Sequence, residues 1–134
     1  MASFYEGDYA AVLEPFTRYA KQGDANAQYY LASMYALGMG VPRNLKTAAE
    51  WARLSAEQGN ATAQTTFGLM HVSGEGGITQ DITRAHMWLS LASSGGDRMA
   101  ASLQSRVAKQ MTPDQLEEAQ KLARECVAKD YKGC

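Results

Sequence analysis

The sequence predicts an all-α fold, an α-solenoid of about seven helices stacked as antiparallel pairs. Three observations point there. The chain reads against itself at a period of 36 to 37 residues, each helical run is headed by a short polar residue, and most are followed by glycine. Gly23-Asp24-Ala25-Asn26-Ala27-Gln28 returns as Gly59-Asn60-Ala61-Thr62-Ala63-Gln64, then more loosely as Gly96-Asp97-Arg98-Met99-Ala100. Leu31-Ala32-Ser33-Met34-Tyr35 returns as Phe67-Gly68-Leu69-Met70-His71, and Ala48-Ala49-Glu50-Trp51 as Ala85-His86-Met87-Trp88. A period of this size marks stacked helical units, none of which buries its apolar face alone.

In chain order the helices fall at about 8–22, 24–37, 44–58, 60–73, 81–94, 97–110 and 113–130, with ends good to about 2–4 residues. Asp8 is expected to head the first helix. Pro15 lies inside it, so a kink is expected there, or a helix that becomes regular only from Pro15. Asp24, Asn60 and Asp97 precede the first helix of each later unit, and Asn44 and Asp81 precede the second. There a short polar side chain accepts from the free N–H groups of the first turn. Gly38 and Gly74 follow first helices, while Gly23, Gly59 and Gly96 follow second ones; the left-handed residue that ends a helix is cheapest as glycine. Thr112, Pro113 and Gln115 have the spacing of a capping box with proline at the first helical position. The last helix then carries Leu116, Ala119, Leu122, Ala123, Cys126 and Val127 on one face. The whole chain, 1–134, thus reads as one repeat domain: a half unit at 1–23, full units at 24–59 and 60–96, and capping helices at 97–134.

Composition narrows the function. Thirteen Lys+Arg against fourteen Asp+Glu leave a net charge of −1, with no basic excess to neutralise a row of phosphates, so nucleic acid is not an expected partner. The longest nearly apolar stretch, Tyr29 to Val41, is interrupted by Ser33, Gly38 and Gly40. It is too short to span a membrane, which takes about 20 apolar residues. The residues after Met1 lack the basic start and apolar core of a secretory leader, although Met1-Ala2-Ser3 is compatible with a leader having been removed.

These residues resemble the Sel-one-like repeat (SLR) family, related to the tetratricopeptide class. The family pattern of Ala-Gln-x-x-Leu-Gly-x-x-Tyr, Gly-x-Gly-Val, Ala-x-x-Trp and Gly-Asn/Asp-x-x-Ala is met over 23–64 and more loosely over 59–100. Departures are Ala32 where Gly is usual, His71 where Tyr is usual, Ala52 where an aromatic is usual, and an extra glycine within 74–78. The resemblance implies a right-handed superhelix whose first helices line a concave face that binds peptides or protein surfaces. It also implies adaptor or regulator work in bacterial signalling, envelope biogenesis or quality control, without catalysis. On tetratricopeptide geometry the partner-binding positions would be Tyr29, Ser33, Ala36 and Leu37, then Thr65, Leu69 and Val72, then Ser102 and Arg106. Tyr29 and Leu69 would be the anchors and Arg106 a carboxylate clamp. The alternative is a hydrolase acting on cell-wall amides, linked to cysteine-rich relatives with a Cys pair in every repeat; both full repeats here have none.

Little else reads as chemistry, and no catalytic residue, metal or cofactor is expected. His71 is expected to pack with a hydrogen-bonded ring nitrogen, and His86 to lie on the surface or between repeats. Gly74-Glu75-Gly76-Gly77 lacks the Lys-Ser/Thr of a phosphate loop and is in phase with Gly38-Met39-Gly40, so it reads as an interhelical turn. Cys126 and Cys134 are open between a structural disulfide and two thiols. A bridge would imply a periplasmic or secreted protein; otherwise the cytoplasm is expected. The first helix lacks a partner helix of its own, leaving Val12, Leu13 and Phe16 as a route to self-association.

Overall fold

A computed structural model describes residues 6–134, with side chains from residue 9 onward. It is helical throughout: α1 (Glu6–Lys21), α2 (Ala25–Leu37), α3 (Leu45–Glu57), α4 (Ala61–Ser73), a 3₁₀ turn at Glu75–Gly77, α5 (Ile82–Ser94), α6 (Arg98–Ala108) and α7 (Pro113–Ala128). No strand occurs among the described residues. The hairpins α2–α3 and α4–α5 are the two full units. They lie side by side, with α1 against α2, α3 against α4 and α5 against α6.

The polar residues before the helices do what their position suggests. Asp24, Asn44, Asn60 and Asp81 each accept from the backbone N–H three residues on, Asp97 accepts from the Met99 N–H, and Thr112 and Gln115 form a reciprocal capping box. Each such cap is worth about 1 kcal/mol. Two expectations about α1 change. Asp8 lies within the first turn instead of ahead of it, because the helix already begins at Glu6. The helix also runs unbroken through Pro15, so it does not start being regular there.

Recurring hydrogen bonds show that α1 is a true half unit. The Gln28 side-chain amide donates to the Ala20 carbonyl at 3.1 Å, and Gln64, one period later, donates to Ala56 at 3.2 Å. The Asn44 N–H reaches the Tyr35 carbonyl at 2.8 Å, as the Asp81 N–H reaches His71 at 2.9 Å. The interhelical turns repeat as well. Gly76 has φ +69, and a Cβ there would lie 2.5 Å from the Leu45 carbonyl oxygen of α3. Gly40, with φ +75, makes the same approach to Tyr9 and Ala10 of α1. Glycine is required at these positions for its missing side chain as well as its left-handed backbone.

Small residues set the helix spacing. Ala48, Ala49, Ala52, Ala56 and Ala63 are buried with Phe67, Met87 and Trp88 in the central cluster, and Phe67 meets Trp88 edge to face with centroids 5.5 Å apart. The third unit departs from the pattern. Helix α7 packs on α5 instead of pairing with α6. Its end is tied down by a disulfide between Cys126 and Cys134. Beyond it, Lys132 donates to the Glu57 carbonyl and Arg84 to that of Cys134, so the tail bridges α3 and α5.

Gly76→Ala is expected to destabilise the fold by about 2 kcal/mol or more. Gly77→Ala shares a positive φ (+79), but its Cβ would meet nothing within 4 Å, so it should cost clearly less. Urea midpoints of the two variants separate the backbone strain from the clash with α3.

Candidate partner-binding face

Around each first helix the residues divide into four directions at 100° per residue. In α4, Ala63, Phe67 and Met70 point to the preceding helix α3, which the Gln64 amide also reaches through the Ala56 carbonyl, and Gly68 and His71 to the partner helix α5. Thr65 and Val72 point to the next first helix, α6, and Thr62, Thr66, Leu69 and Ser73 point outward. The same division holds one period away. The outward stripe is therefore Asn26, Tyr30, Ser33 and Leu37 on α2, the four residues just named on α4, and Met99, Leu103 and Arg106 on α6.

This stripe carries apolar side chains that solvent would ordinarily disfavour. Tyr30 is 51% exposed, Leu37 69% and Met99 65%, and Leu69 is also exposed. Besides these, the exposed large apolar residues among those described are Val12 and Tyr19 on α1 and Val127 on α7. Between α2 and α4 the stripe dips into a shallow depression of about 350 Å³, lined by Ala36, Leu45, Thr66, Leu69, Met70, Ser73 and Glu75. The Tyr30 ring stacks on Phe16 of α1, centroids 5.5 Å apart, which holds it upright at the edge of the face.

Several partner-binding positions drawn from tetratricopeptide geometry lie elsewhere. Ser33, Leu37, Leu69 and Arg106 are on the outward stripe. Tyr29, Ala36, Thr65 and Val72 are not, because they sit one helical step round, where adjacent first helices meet. Thr65 is 5% exposed and donates to Asp97 Oδ2 at 2.5 Å. Tyr29 and Ala36 pack against the central cluster, and Val72 against the cluster around Leu89 and Val107. Ser102 belongs to the same column but is exposed; among the described residues no first helix lies on it. Tyr30, Thr66 and Leu103 hold the outward positions one residue on from Tyr29, Thr65 and Ser102.

The histidines have no catalytic company. His71 packs edge to face on Phe67, with Nδ1 3.3 Å from the Thr79 carbonyl, so it packs with a hydrogen-bonded ring as expected. Of the two places expected for His86 it takes the one between repeats: it is buried, and its Nδ1 has no hydrogen-bond partner. It falls on α5 between Ile82 and Leu89, the side that α6 covers. A second cleft of about 590 Å³ lies between α3, α4, α5 and the tail, lined among others by Arg53, Glu57, Phe67, His71, Arg84 and Trp88. Its charges pair with neighbours, Arg53 with Glu57 at 3.3 Å and Arg84 with Asp81 at 3.6 Å. Among the described residues, no group of three His, Cys, Asp or Glu is placed to hold a metal, and no helix is long and apolar enough to cross a membrane.

The Sel1 repeat model matches residues 25–60 and 63–97, the two hairpins and the caps that join them. The chain belongs to the Sel1 repeat family. Sel1 repeats are generally protein–protein interaction modules, and the fold is typically non-catalytic. Two solved structures share the fold. One is a protective antigen of uropathogenic Escherichia coli displaying an SLR fold, 27% identical with a TM-score of 0.86, over 94% of this chain and 28% of that one. The other is a Sel1 repeat protein from Oxalobacter formigenes, 25% identical with a TM-score of 0.68, over 87% of this chain and 55% of that one. This Sel1 chain thus spans only part of the length of either. No curated protein matches it significantly.

Burial lowers the pKa of both histidines from the ordinary imidazole value, for His71 against the Thr79 carbonyl and Asp81, which raise it. A depressed folded pKa means the unfolded chain protonates first as pH falls. Stability should therefore be full above about pH 6.5 and decline as pH drops below it. In urea titrations between neutral and mildly acid pH, His86→Phe should flatten the part of that decline due to His86.

Proposed function

We propose that the outward stripe of α2, α4 and α6 is the concave face of the solenoid and captures a segment of a protein partner, making the chain an adaptor or regulator. The observation that carries this is the alignment of Tyr30, Leu37, Leu69 and Met99 in adjoining rows, three of them more than half exposed. Rigid or compact apolar groups lose little entropy on binding, and tyrosine is among the residues that most often anchor an interface. Arg106, exposed at the far end, is suited to a partner carboxylate. The face is only three helices wide, so a single contact is expected to be weak.

The disulfide supports work in an oxidising compartment, and we place the protein in the bacterial periplasm or outside the cell. Protein taken from its native compartment under denaturing, thiol-blocked conditions should show no reactive thiol; two would move it to a reducing compartment. The exposed Val12 and Tyr19 on α1 favour self-association through that helix as a second use of the molecule. No observation favours the cell-wall hydrolase alternative.

Tyr30→Ala and Leu69→Ala are each expected to weaken partner capture from native lysate by about tenfold, a loss of about 1.4 kcal/mol, with unchanged helical circular dichroism. Equal capture by wild type and both variants would remove this face from the interface.

A further inference from the structure

We propose that residues 129–134 are a strap latched by the Cys126–Cys134 disulfide, and that a dithiol releases it to open the cleft between α3, α4 and α5 to an extended peptide segment.

This cleft shares no residue with the outward stripe. Its volume of about 590 Å³ is of the size that holds a ligand. Phe67, Ile78 and Trp88 line it with apolar surface, Glu57 and Arg84 line it with charge, and Gly133 and Cys134 of the strap form part of its wall.

The strap sits there as a bound peptide would. Arg84 donates to the Cys134 carbonyl, the Gly133 N–H donates to Glu57 Oε2 at 3.4 Å, and the Lys132 ammonium donates to the Glu57 carbonyl. The Tyr131 ring lies against Gly59, where a Cβ would be 3.2 Å from Tyr131 Cε2. Two of these contacts use main-chain atoms of the strap, so another extended segment can make them equally well. Tyr131 and Lys132 add the preference, an aromatic residue followed by a basic one.

The backbone of the strap resists this position. Asp130 and Tyr131 have φ of +54 and +66, and they are the non-glycine residues in the left-handed region among those described. A helix commonly ends on one left-handed residue, usually glycine; here two side-chain-bearing residues in succession take that conformation. Such backbone persists only where its surroundings over-determine it. The Glu57 contacts are exposed to solvent, which leaves the ring closed by the bridge, eight residues apart in sequence, as the main restraint.

Cys126 is buried and Cys134 only half-buried, so a thiolate of the dithiol attacks Cys134 Sγ. Cys126 leaves as a thiolate and takes up a proton, remaining in the core as a small apolar thiol. The second thiol of the dithiol then attacks the mixed disulfide and frees Cys134. Two electrons and two protons pass from the dithiol, which departs as a disulfide, to the two cysteines.

Amide NMR spectra of the isotope-labelled full chain test this. Dithiothreitol should move the signals of the strap and of Glu57, Gly59 and Arg84 while those of α1 and α2 stay in place, and Cys134→Ser should show the moved pattern without it. The probe is a synthetic peptide of residues 129–134 carrying Cys134→Ser. It should return the Glu57, Gly59 and Arg84 signals of the Cys134→Ser chain toward their bridged positions. The bridged chain, whose open form is scarcely populated, should bind it about tenfold or more weakly. Signals at Glu57, Gly59 and Arg84 that ignore reduction would show that the strap stays without its bridge. Loss of signal dispersion across all helices would make the bridge a staple of the whole fold. Either result overturns the release. Release with no response to the peptide, or equal binding by both forms, would overturn the gated peptide site.

Discussion

Close approach between helix backbones is the constraint on which this molecule depends. Ala48, Ala49, Ala52 and Ala56 on α3, Ala63 and Gly68 on α4, and Ala85 and Ala92 on α5 are fully or almost fully buried. With so little side chain between them the helices pack tightly, and Leu31, Phe67 and Trp88 fill what remains. Small residues are cheap to order, since they have few rotamers to lose. They also bring capping groups within reach of the next unit. Asn60 caps its own helix and donates its amide to Asn26, and Asp97 caps its helix with one oxygen and accepts from Thr65 with the other. Helix initiation and the stacking of units are thereby the same set of contacts, which explains why the spacing of the repeat is so regular.

Nearly all of this was legible in the sequence. The period, the caps and the glycines placed seven helices within a few residues of where they lie, because each signal is local: a cap or a left-handed glycine acts within one turn of chain. What the sequence leaves open is where a residue's role depends on a neighbour far along the chain. Tyr29 and Tyr30 are adjacent and alike, and only the direction of α4 assigns the first to the seam and the second to solvent. For His86 the sequence leaves the surface and the space between repeats both open, because its counterpart Ala49 gives no hint of a polar group at that position; α6 buries it. The pairing of α7 with α5 in place of α6 left no mark in the repeat pattern, since an apolar helical stripe states that a helix packs and not on what.

The cleft under the tail shows what the last unit has become. Where an array would continue, α7 folds back across α5, Cys126 and Cys134 close a short loop, and Lys132 and Arg84 fasten the tail to the backbone across two units. In the loop-entropy view such a small ring contributes about 2–3 kcal/mol. Against it stand the buried Nδ1 of His86 and Nε1 of Trp88, both without partners, in and beside the same helix packing. Each lost hydrogen bond costs on the order of 1–3 kcal/mol. The cross-link is thus comparable in size to the defects that α5 carries.

That balance bears on where function can reside. A solenoid has no deep interior, so its stability is spread along seams between neighbours. Any group that disturbs a seam is felt by both adjoining units, which leaves exposed surfaces such as the outward stripe free to vary. Residues on the stripe differ from unit to unit, with Tyr30, Thr66 and Leu103 in one row and Ser33, Leu69 and Arg106 in the next, while Ala27, Ala63 and Ala100 beneath them stay the same. The scaffold repeats because packing demands it. The face does not, and a surface composed of unlike residues at fixed spacing has the means to tell one partner from another.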